Sequence, residues 1–299
     1  MAESFSEGKS FRTFGKWILA GEHAVLRGCP ALVFPIESRF VDVRLTNLDQ
    51  PSKVNFSGPY GEEFSLLFWG LVERALEKVE RTRADLRGEM SLDCHVPLGS
   101  GLGASAALCV AVGKWFHELA WIKQEEVYEF SRQLENIFHG ESSGVDIAVA
   151  LEGRGLRFMR GGERNSLDLK WRPRWYLSYS GKRGVTSECV QQVKDLWAKD
   201  KDQAEQLDQK MREAVEESER ALTLPEAEGW PLLKLAVNKA NQCFQEWGLS
   251  QGELGRHLEW LKQKGAVAVK PTGSGGGGYA LSLWEEEPPA IVRDRLFPA

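Results

Sequence analysis

One glycine-rich segment constrains the fold of this 299-residue chain more than any other: Pro97-Leu98-Gly99-Ser100-Gly101-Leu102-Gly103-Ala104-Ser105-Ala106. A strand pattern precedes it and ends at Val96, and an apolar helix pattern begins at Ala104. Three glycines at alternate positions allow backbone N–H groups to converge on an anion, and the N-terminus of the following helix adds its dipole. The segment therefore predicts a strand, an anion-binding loop and a helix, in that order.

Two common nucleotide motifs do not account for this loop. No Gly-Lys-Ser/Thr follows it, so it is not a P-loop. The spacing Gly99-x-Gly101-x-x-Ala104 formally fits the dinucleotide fingerprint, which requires a second parallel strand ending in an acid about 20 residues further on. The stretch 115–138 instead runs from one helix pattern into another. A tight strand-to-helix turn without a ligand remains an alternative for the loop alone.

Helix and strand patterns alternate irregularly along the chain. Helical spacing of apolar residues predicts helices at 63–79, 104–119, 124–138, 187–224, 230–247 and 251–264. Alternating or short apolar runs predict strands at 17–20, 40–46, 91–96, 155–159, 175–179, 265–270 and 279–284. Because no regular βαβ order is present, an α+β fold is expected. A boundary near 160–164 predicts two domains, 1–162 and 163–299.

Composition excludes several classes of protein. Lys and Arg number 38 against 43 Asp and Glu, a net charge of −5 without a basic block, so nucleic acid is not an expected partner. Five scattered cysteines without a CxxC pair argue against a disulfide framework or a zinc site and favour a reducing compartment. The first residues lack the apolar core of a secretory signal. The uncharged stretch 96–113 begins with a proline and glycines, which do not suit a membrane span. A cytoplasmic protein is expected.

Three further segments narrow the interpretation. They are Gly15-Lys16-Trp17-Ile18-Leu19-Ala20-Gly21-Glu22-His23-Ala24-Val25-Leu26-Arg27-Gly28, Glu135-Asn136-Ile137-Phe138-His139-Gly140-Glu141-Ser142-Ser143-Gly144-Val145-Asp146 and Lys270-Pro271-Thr272-Gly273-Ser274-Gly275-Gly276-Gly277-Gly278. Together with the glycine loop they closely resemble the GHMP kinases, named for galactokinase, homoserine, mevalonate and phosphomevalonate kinases. The resemblance extends from about Gly15 to Leu283, with the superfamily motifs in order.

The resemblance implies a two-domain α+β fold with the active site in the cleft between the domains, and ATP and Mg²⁺ as co-substrate and cofactor. By matched position, Ser105 and Glu135 would hold the magnesium ion. Asp146 would meet the attacking hydroxyl, with Lys16 beside it. Residues 97–106 would hold the ATP phosphates, and the residues facing the acceptor would be Glu22, His23, Ser143 and Thr186. Phosphoryl transfer needs such charge neutralisation and positioning.

Alternatives remain at this point. The resemblance favours mevalonate as the acceptor, whereas Lys270-Pro271 and Tyr279 resemble phosphomevalonate kinase endings, so phosphomevalonate or a sugar stays open. A catalytically silent binding protein on the same fold is a third hypothesis. Individual residues also have plain structural interpretations: a strand-edge charge for Lys16, a solvated helix carboxylate for Glu135 and a helix N-cap for Asp146. The oligomeric state, monomer or homodimer, is not fixed by the sequence.

Overall fold

Residues 8–139, 142–161 and 163–299 are described by a computed structural model of the chain. Its strands are β1 (Lys9–Ala20), β2 (Ala31–Pro51), β3 (Lys53–Ser57), β4 (Arg87–Cys94), β5 (Leu156–Phe158), β6 (Arg164–Ser166), β7 (Arg174–Tyr179), β8 (Ala268–Thr272), β9 (Tyr279–Trp284) and β10 (Phe297–Pro298). Its α-helices are α1 (Gly61–Lys78), α2 (Ala104–Glu118), α3 (Val127–His139), α4 (Val145–Glu152), α5 (Thr186–Lys199), α6 (Lys201–Thr223), α7 (Glu226–Glu246), α8 (Gly252–Gln263) and α9 (Ala290–Arg293). Short 3₁₀ helices cover Ala24–Arg27, Arg83–Asp85 and Gln124–Glu126. The expected mixture of helices and strands is confirmed.

The chain forms two compact units whose residues come from separated parts of the sequence. The first unit takes the residues up to Gly15 and the segments Glu37–Gly99 and Gly103–Gly153. The second takes Lys16–Ile36, Ser100–Leu102 and Arg154–Ala299. Strands β1 and β2 and the glycine loop thus each contribute residues to both units.

The sheet of the first unit explains the alternating pattern at 40–46. Strand β4 pairs with β3 in parallel and with β2 antiparallel. Val43 of β2 lies opposite Leu92 of β4, and Leu45 lies opposite Met90, with all four side chains buried. The polar residues between them are more exposed. The predicted half-buried strand is confirmed, although β2 is much longer than expected.

Helix α2 forms the centre of the first unit. Every residue from Ala106 to Gly113 is buried, and α2 packs against α1, α3 and α4. A helix that is apolar on all sides belongs in a protein interior, which explains the uncharged stretch at 96–113. Within the described part of the chain, no helix is both long enough and apolar enough to cross a membrane.

The second unit has an antiparallel sheet with strands in the order β10-β7-β9-β8. Helix α7 packs against β8 and α6, and α8 packs against β8 and β9. Leu254, Leu258 and Leu261 of α8 form a buried cluster with Val269 and Trp284 from the sheet. In the same unit, the start of β2 pairs with β5, which also pairs with β6.

The charged region at 187–224 is two helices, so the prediction of a single helix is wrong. Helix α5 ends at Lys199, and Asp200 is the N-cap of α6. Its carboxylate accepts a hydrogen bond from the backbone N–H of Gln203 at 3.0 Å. Aspartate is among the preferred N-cap residues because its side chain satisfies an otherwise unpaired helical donor. The break therefore follows from a local capping signal.

Candidate active site

The loop between β4 and α2 is shaped by three glycines with positive φ angles. Gly99, Gly101 and Gly103 have φ angles of 66°, 82° and 83°, a region that only glycine adopts without steric cost. Gly103 is the N-cap of α2, and its carbonyl accepts from the N–H of Ala107 at 3.0 Å. A Cβ on Gly101 would meet no atom of the described residues within 4 Å. The predicted strand, loop and helix are confirmed, and phosphate binding stays a prediction.

Lys16 of β1 anchors the middle of this loop. Its backbone N–H donates to the carbonyl of Leu102 at 2.8 Å, and its ammonium group donates to the carbonyl of Gly101 at 3.1 Å. The lysine is only 5% exposed, so its interpretation as a strand-edge charge is wrong. A buried cation interacts more strongly with a nearby anion than a solvated one does, because the local dielectric is lower.

The glycine run at 273–278 lies beside the same loop residues in the second unit. A Cβ on Gly273 would lie 3.8 Å from the carbonyl oxygen of Gly101 and 3.9 Å from the Lys16 ammonium nitrogen, and one on Gly278 would lie 3.6 Å from the Ser100 oxygen. The N–H of Gly276 donates to the carbonyl of Leu249 at 2.7 Å. The run is therefore held against its neighbours, as close backbone approach predicts.

Helices α2 and α3 meet along one face that includes both predicted magnesium ligands. Ser105, Cys109 and Gly113 share this face of α2, since residues at i and i+4 lie one above another. A Cβ on Gly113 would lie 2.6 Å from the Ser131 hydroxyl of α3, which donates to the Cys109 carbonyl at 3.3 Å. Burial, and then the charge of Glu135, raises the pKa of the Cys109 thiol. The helices thus run antiparallel, and Glu135 lies towards the Ser105 end.

Glu135 is held by a residue that sequence reasoning missed. It is 2% exposed, so its interpretation as a solvated helix carboxylate is wrong. Its Oε2 accepts a hydrogen bond from the hydroxyl of Ser142, which also accepts from the N–H of Gly144 at 3.0 Å. The backbone N–H of Ser142 donates to the Asn136 side-chain oxygen at 2.7 Å. The sequence signal that could have pointed to Ser142 was the Ser142-Ser143 pair in the motif. Gly140 and Glu141 of the same motif lie outside the described residues.

Asp146 is the second residue of α4. Gly144, with a φ of 83°, is the N-cap of this helix, so the interpretation of Asp146 as the cap is wrong. The Ser143 hydroxyl accepts from the N–H of Val145 at 3.3 Å. Asp146 and Ser143 are both half-buried. A carboxylate in the first turn is favourably placed in the helix dipole, and partial exposure leaves it accessible to a ligand.

Glu22 and Lys270 form an ion pair inside the second unit. Glu22 lies just after β1, Lys270 lies in β8, and they are 2% and 0% exposed. The ammonium of Lys270 donates to Glu22 Oε1. Sequence reasoning placed Glu22 at the acceptor and gave Lys270 no role. The available signal was a lysine inside an otherwise apolar strand.

His23 is a buried neutral histidine with an unusual backbone. Its φ is 49°, and its Nε2 lies 2.8 Å from the carbonyl oxygen of Ser274. A carbonyl can only accept, so Nε2 carries the proton in this contact. Burial lowers the pKa of His23 to about 4. The Thr186 hydroxyl lies 3.3 Å from that of Ser274, so both predicted acceptor residues contact Ser274, with Thr186 on the exposed side.

The predicted site residues belong to both units. The first unit contains Ser105, Glu135, Ser143 and Asp146, and the second contains Lys16, Glu22, His23 and Thr186. Two surface cavities of about 410 and 380 Å³ lie elsewhere. One is lined by residues such as Asp42 and Asp93 in the first unit, and the other by residues such as Arg256 and His257 in the second. Neither cavity includes a predicted site residue.

Comparison with known proteins points to one superfamily. The family described as GHMP kinases N terminal domain matches residues 70–154. The mevalonate kinase of Pyrococcus horikoshii is 28% identical over 294 aligned residues, which cover 89% of this chain and 86% of that one.

Two solved structures show the same fold. The L. major mevalonate kinase in complex with R-mevalonate has a TM-score of 0.77 at 23% identity and covers 96% of this chain and 89% of its own. The Methanococcus jannaschii mevalonate kinase has a TM-score of 0.74 at 17% identity and covers 98% of each chain. The chain shares the fold of these two kinases, and its residues 70–154 match the family of GHMP kinase N-terminal domains. The three relatives compared are all mevalonate kinases.

Proposed function

We propose that this chain is a cytoplasmic, ATP-dependent kinase that phosphorylates the 5-hydroxyl of mevalonate, giving 5-phosphomevalonate and ADP. Similarity to the Pyrococcus horikoshii mevalonate kinase over 89% of the chain supports the acceptor. The phosphoryl chemistry is supported by one observation above all. A buried lysine, Lys16, binds the carbonyl of Gly101 in a glycine loop. The five cysteines are buried free thiols, as suits a reducing compartment.

The proposed reaction is a direct displacement at phosphorus. The acceptor oxygen forms a bond to the γ-phosphorus while the bond from that phosphorus to the β,γ-bridging oxygen breaks, and ADP leaves with the electron pair. Asp146 orients the hydroxyl and receives its proton. Lys16 neutralises charge on the transferring group, and the backbone of 97–106 holds the phosphates. Positioning and electrostatic stabilisation supply most of the catalysis in this class of reaction.

The residues on the α2–α3 face fit a magnesium ion. Glu135 offers a buried carboxylate and Ser105 a hydroxyl in the first turn of α2, and both are the hard oxygen ligands that Mg²⁺ prefers. The described residues contain no group of three or more Cys, His, Asp and Glu suited to a metal. Mg²⁺ at a kinase site typically uses one or two carboxylates together with substrate phosphates. When bound, the ion would neutralise phosphate charge.

A second acceptor is supported by one further observation. Lys182 and Arg183 are exposed cations in the turn packed against Gly277, whose Cβ would lie 2.7 Å from the Lys182 carbonyl oxygen. A phosphorylated acceptor requires additional positive charge, which these side chains can provide. Phosphomevalonate is therefore the alternative substrate.

The test of function is a coupled ADP-release assay with ATP, Mg²⁺ and a panel of acceptors: mevalonate, phosphomevalonate, homoserine and hexoses. We expect the largest kcat/KM with mevalonate. A larger value with phosphomevalonate would make the second acceptor the substrate, and no ADP release with any acceptor would contradict the kinase proposal.

The same assay tests Asp146 against a matched neighbour. Asp146→Asn keeps the size and hydrogen bonding of the side chain but removes the proton acceptor, so we expect kcat to fall about a hundredfold or more. Glu152→Gln makes the equivalent change at the other end of α4, on a side chain that is also half-buried. It should retain most activity. Equal losses in the two variants would remove Asp146 from the reaction.

A further inference from the structure

The ion pair between Glu22 and Lys270 is unusual because both side chains are fully enclosed. Their side chains are 2% and 0% exposed, and they lie 248 residues apart in the sequence. Removing two charges from water costs free energy that their attraction often does not repay, so a buried pair of this kind is weak evidence for stability. Its presence beside predicted acceptor residues calls for a role in the reaction.

Lys270 has no hydrogen-bond donor left for a ligand. An ammonium group has three donors. In Lys270 they are directed to Glu22 Oε1, to the carbonyl of Ile18 at 3.2 Å and to the carbonyl of Pro271 at 2.5 Å. The ring of Phe244 lies 5.3 Å from the nitrogen and covers it further. Lys270 therefore acts on a substrate only through another group, and Glu22 is the ionisable one among its partners.

Glu22, in contrast, has one carboxylate oxygen that accepts no hydrogen bond from the described residues. Its Oε1 is used by Lys270, whereas its Oε2 is buried and has no hydrogen-bond partner among the residues that the structure describes. An ionised carboxylate is purely an acceptor, and a buried acceptor without a donor is unfavourable. A ligand that brings a hydroxyl to Oε2 would supply the missing donor.

The charge of Glu22 depends on Lys270. Burial raises the pKa of Glu22, and the charge and hydrogen bond of Lys270 oppose this rise, with a smaller contribution from Lys16 of β1. Another titratable group close by is the Cys243 thiol of α7, which stays neutral because burial raises its pKa to about 12. Burial also lowers the pKa of Lys270, and the charge of Glu22 opposes that shift. Each charge is maintained by the other.

We propose that Lys270 is a positioning residue that keeps Glu22 ionised and directs its free Oε2 towards a hydroxyl of the acceptor. The identity of that acceptor rests on the function proposed above. The pairing of Lys270 with Glu22 rests on the contacts alone. The pairing and the identity of the acceptor are therefore tested separately.

The kinetic test measures KM for mevalonate and kcat from about pH 6 to 9 in the parent and in the variants Lys270→Met and Lys270→Met/Glu22→Gln. The parent should show a flat KM, because Glu22 stays ionised. Without Lys270, Glu22 holds a proton at neutral pH, as buried glutamates do. The KM of Lys270→Met should therefore be raised at low pH and fall about tenfold or more as the pH increases. The double variant should have a raised KM that is flat with pH, since its titrating group is gone.

A spectroscopic readout does not depend on activity. Infrared spectra at neutral pH should show a protonated carboxyl band in Lys270→Met that is absent from the parent and from the double variant. If the parent phosphorylates no acceptor, the proposed function is wrong. The infrared band still shows whether Lys270 keeps Glu22 ionised. Lys270→Gln, which can still donate a hydrogen bond but has no charge, provides a second variant if Lys270→Met does not fold.

A purely structural role for Lys270 predicts a different set of results. Both Lys270 variants would then melt at a lower temperature but show a flat KM and no protonated carboxyl band. That outcome, in whichever variant folds, would overturn the proposal.

Discussion

The burial of His23 gives the protein a pH dependence with a defined sign. The pKa of His23 is about 4 in the folded protein, against an ordinary value of 6.5. Between these values the unfolded chain binds the proton more readily, so the free energy of unfolding falls as the pH falls. The slope is about 1.4 kcal/mol per pH unit, or about 3 kcal/mol over the window.

The measurement is urea unfolding at pH 7 and pH 4.5 of the parent and of His23→Gln. Glutamine can still donate to the carbonyl of Ser274 but does not titrate. We expect the parent to lose more stability than the variant between the two pH values, while other acid-sensitive groups contribute equally to both. Identical losses would mean that His23 is protonated in the folded protein.

At the residue scale, sequence reasoning found side chains in recognisable motifs and missed those whose partners are remote. Lys16, Glu22 and His23 stand in one short segment and were selected together. Lys270 was not selected, because its partner Glu22 lies 248 residues away. The spacing of residues within a motif carries no information about so distant a pairing. Ser142 was overlooked next to Ser143, since only the folded chain shows which hydroxyl meets Glu135.

At the scale of elements, the crossing of α2 and α3 depends on a glycine. A Cβ on Gly113 would lie 2.6 Å from the Ser131 hydroxyl, whereas one on Gly70 in α1 would meet no atom of the described residues within 4 Å. Gly70→Ala should therefore stabilise the protein by about 0.5–1 kcal/mol through helix propensity. Gly113→Ala gains the same propensity but overpacks the interface, at a cost of about 1–3 kcal/mol.

Thermal or urea unfolding of the two alanine variants gives the comparison directly. We expect Gly113→Ala to be at least about 1 kcal/mol less stable than Gly70→Ala. Adding Ser131→Ala to Gly113→Ala should recover part of the loss, because it removes the atom that the new methyl group meets. Equal stabilisation by the two single substitutions would show that the helices are not in close contact there.

Elements with strong local signals were predictable, and those defined by pairing were not. Helix α2 was predicted at 104–119 and extends over Ala104–Glu118, because a glycine loop precedes a continuous apolar run. The short strands β3 and β6 depend on neighbours in the sheet, which a local pattern does not reveal. Asp200, the cap that divides α5 from α6, was a local signal that the helical periodicity on both sides concealed.

At the scale of the whole molecule, nucleotide binding should appear as a gain in stability. A ligand that binds only the folded protein adds about 2.7 kcal/mol at a hundred times its Kd. We expect Mg·ATP to raise the Tm of the parent and not that of Gly101→Val, in which a side chain projects into the proposed phosphate site.

Gly28→Val provides the control for backbone strain. Gly28 has a φ of 84°, close to the 82° of Gly101, and a Cβ on either residue would lie more than 4 Å from every atom of the part of the chain that the structure describes. The two variants should lose similar stability without ligand, and only Gly28→Val should retain the Mg·ATP shift. A retained shift in Gly101→Val would contradict the role of the loop.

The motifs were sufficient to predict the match to the GHMP kinase family because each is a short local sequence. The division into domains at residue 162 assumes two continuous runs of chain and stays a prediction. The two compact units are each built from segments that alternate along the sequence. A change in composition along the chain does not show that an early segment packs with residues near the C-terminus.

The interleaving has a consequence for the order in which the protein is made. The first unit has all its residues once the ribosome has passed Gly153. The apolar stretch Trp17-Ile18-Leu19 emerges early but belongs to the second unit, where Ile18 bonds to Thr272, 254 residues later. At roughly 5–20 residues per second, that strand waits roughly 13–50 seconds for its partner. During that time the nascent chain exposes a hydrophobic strand to which chaperones can bind.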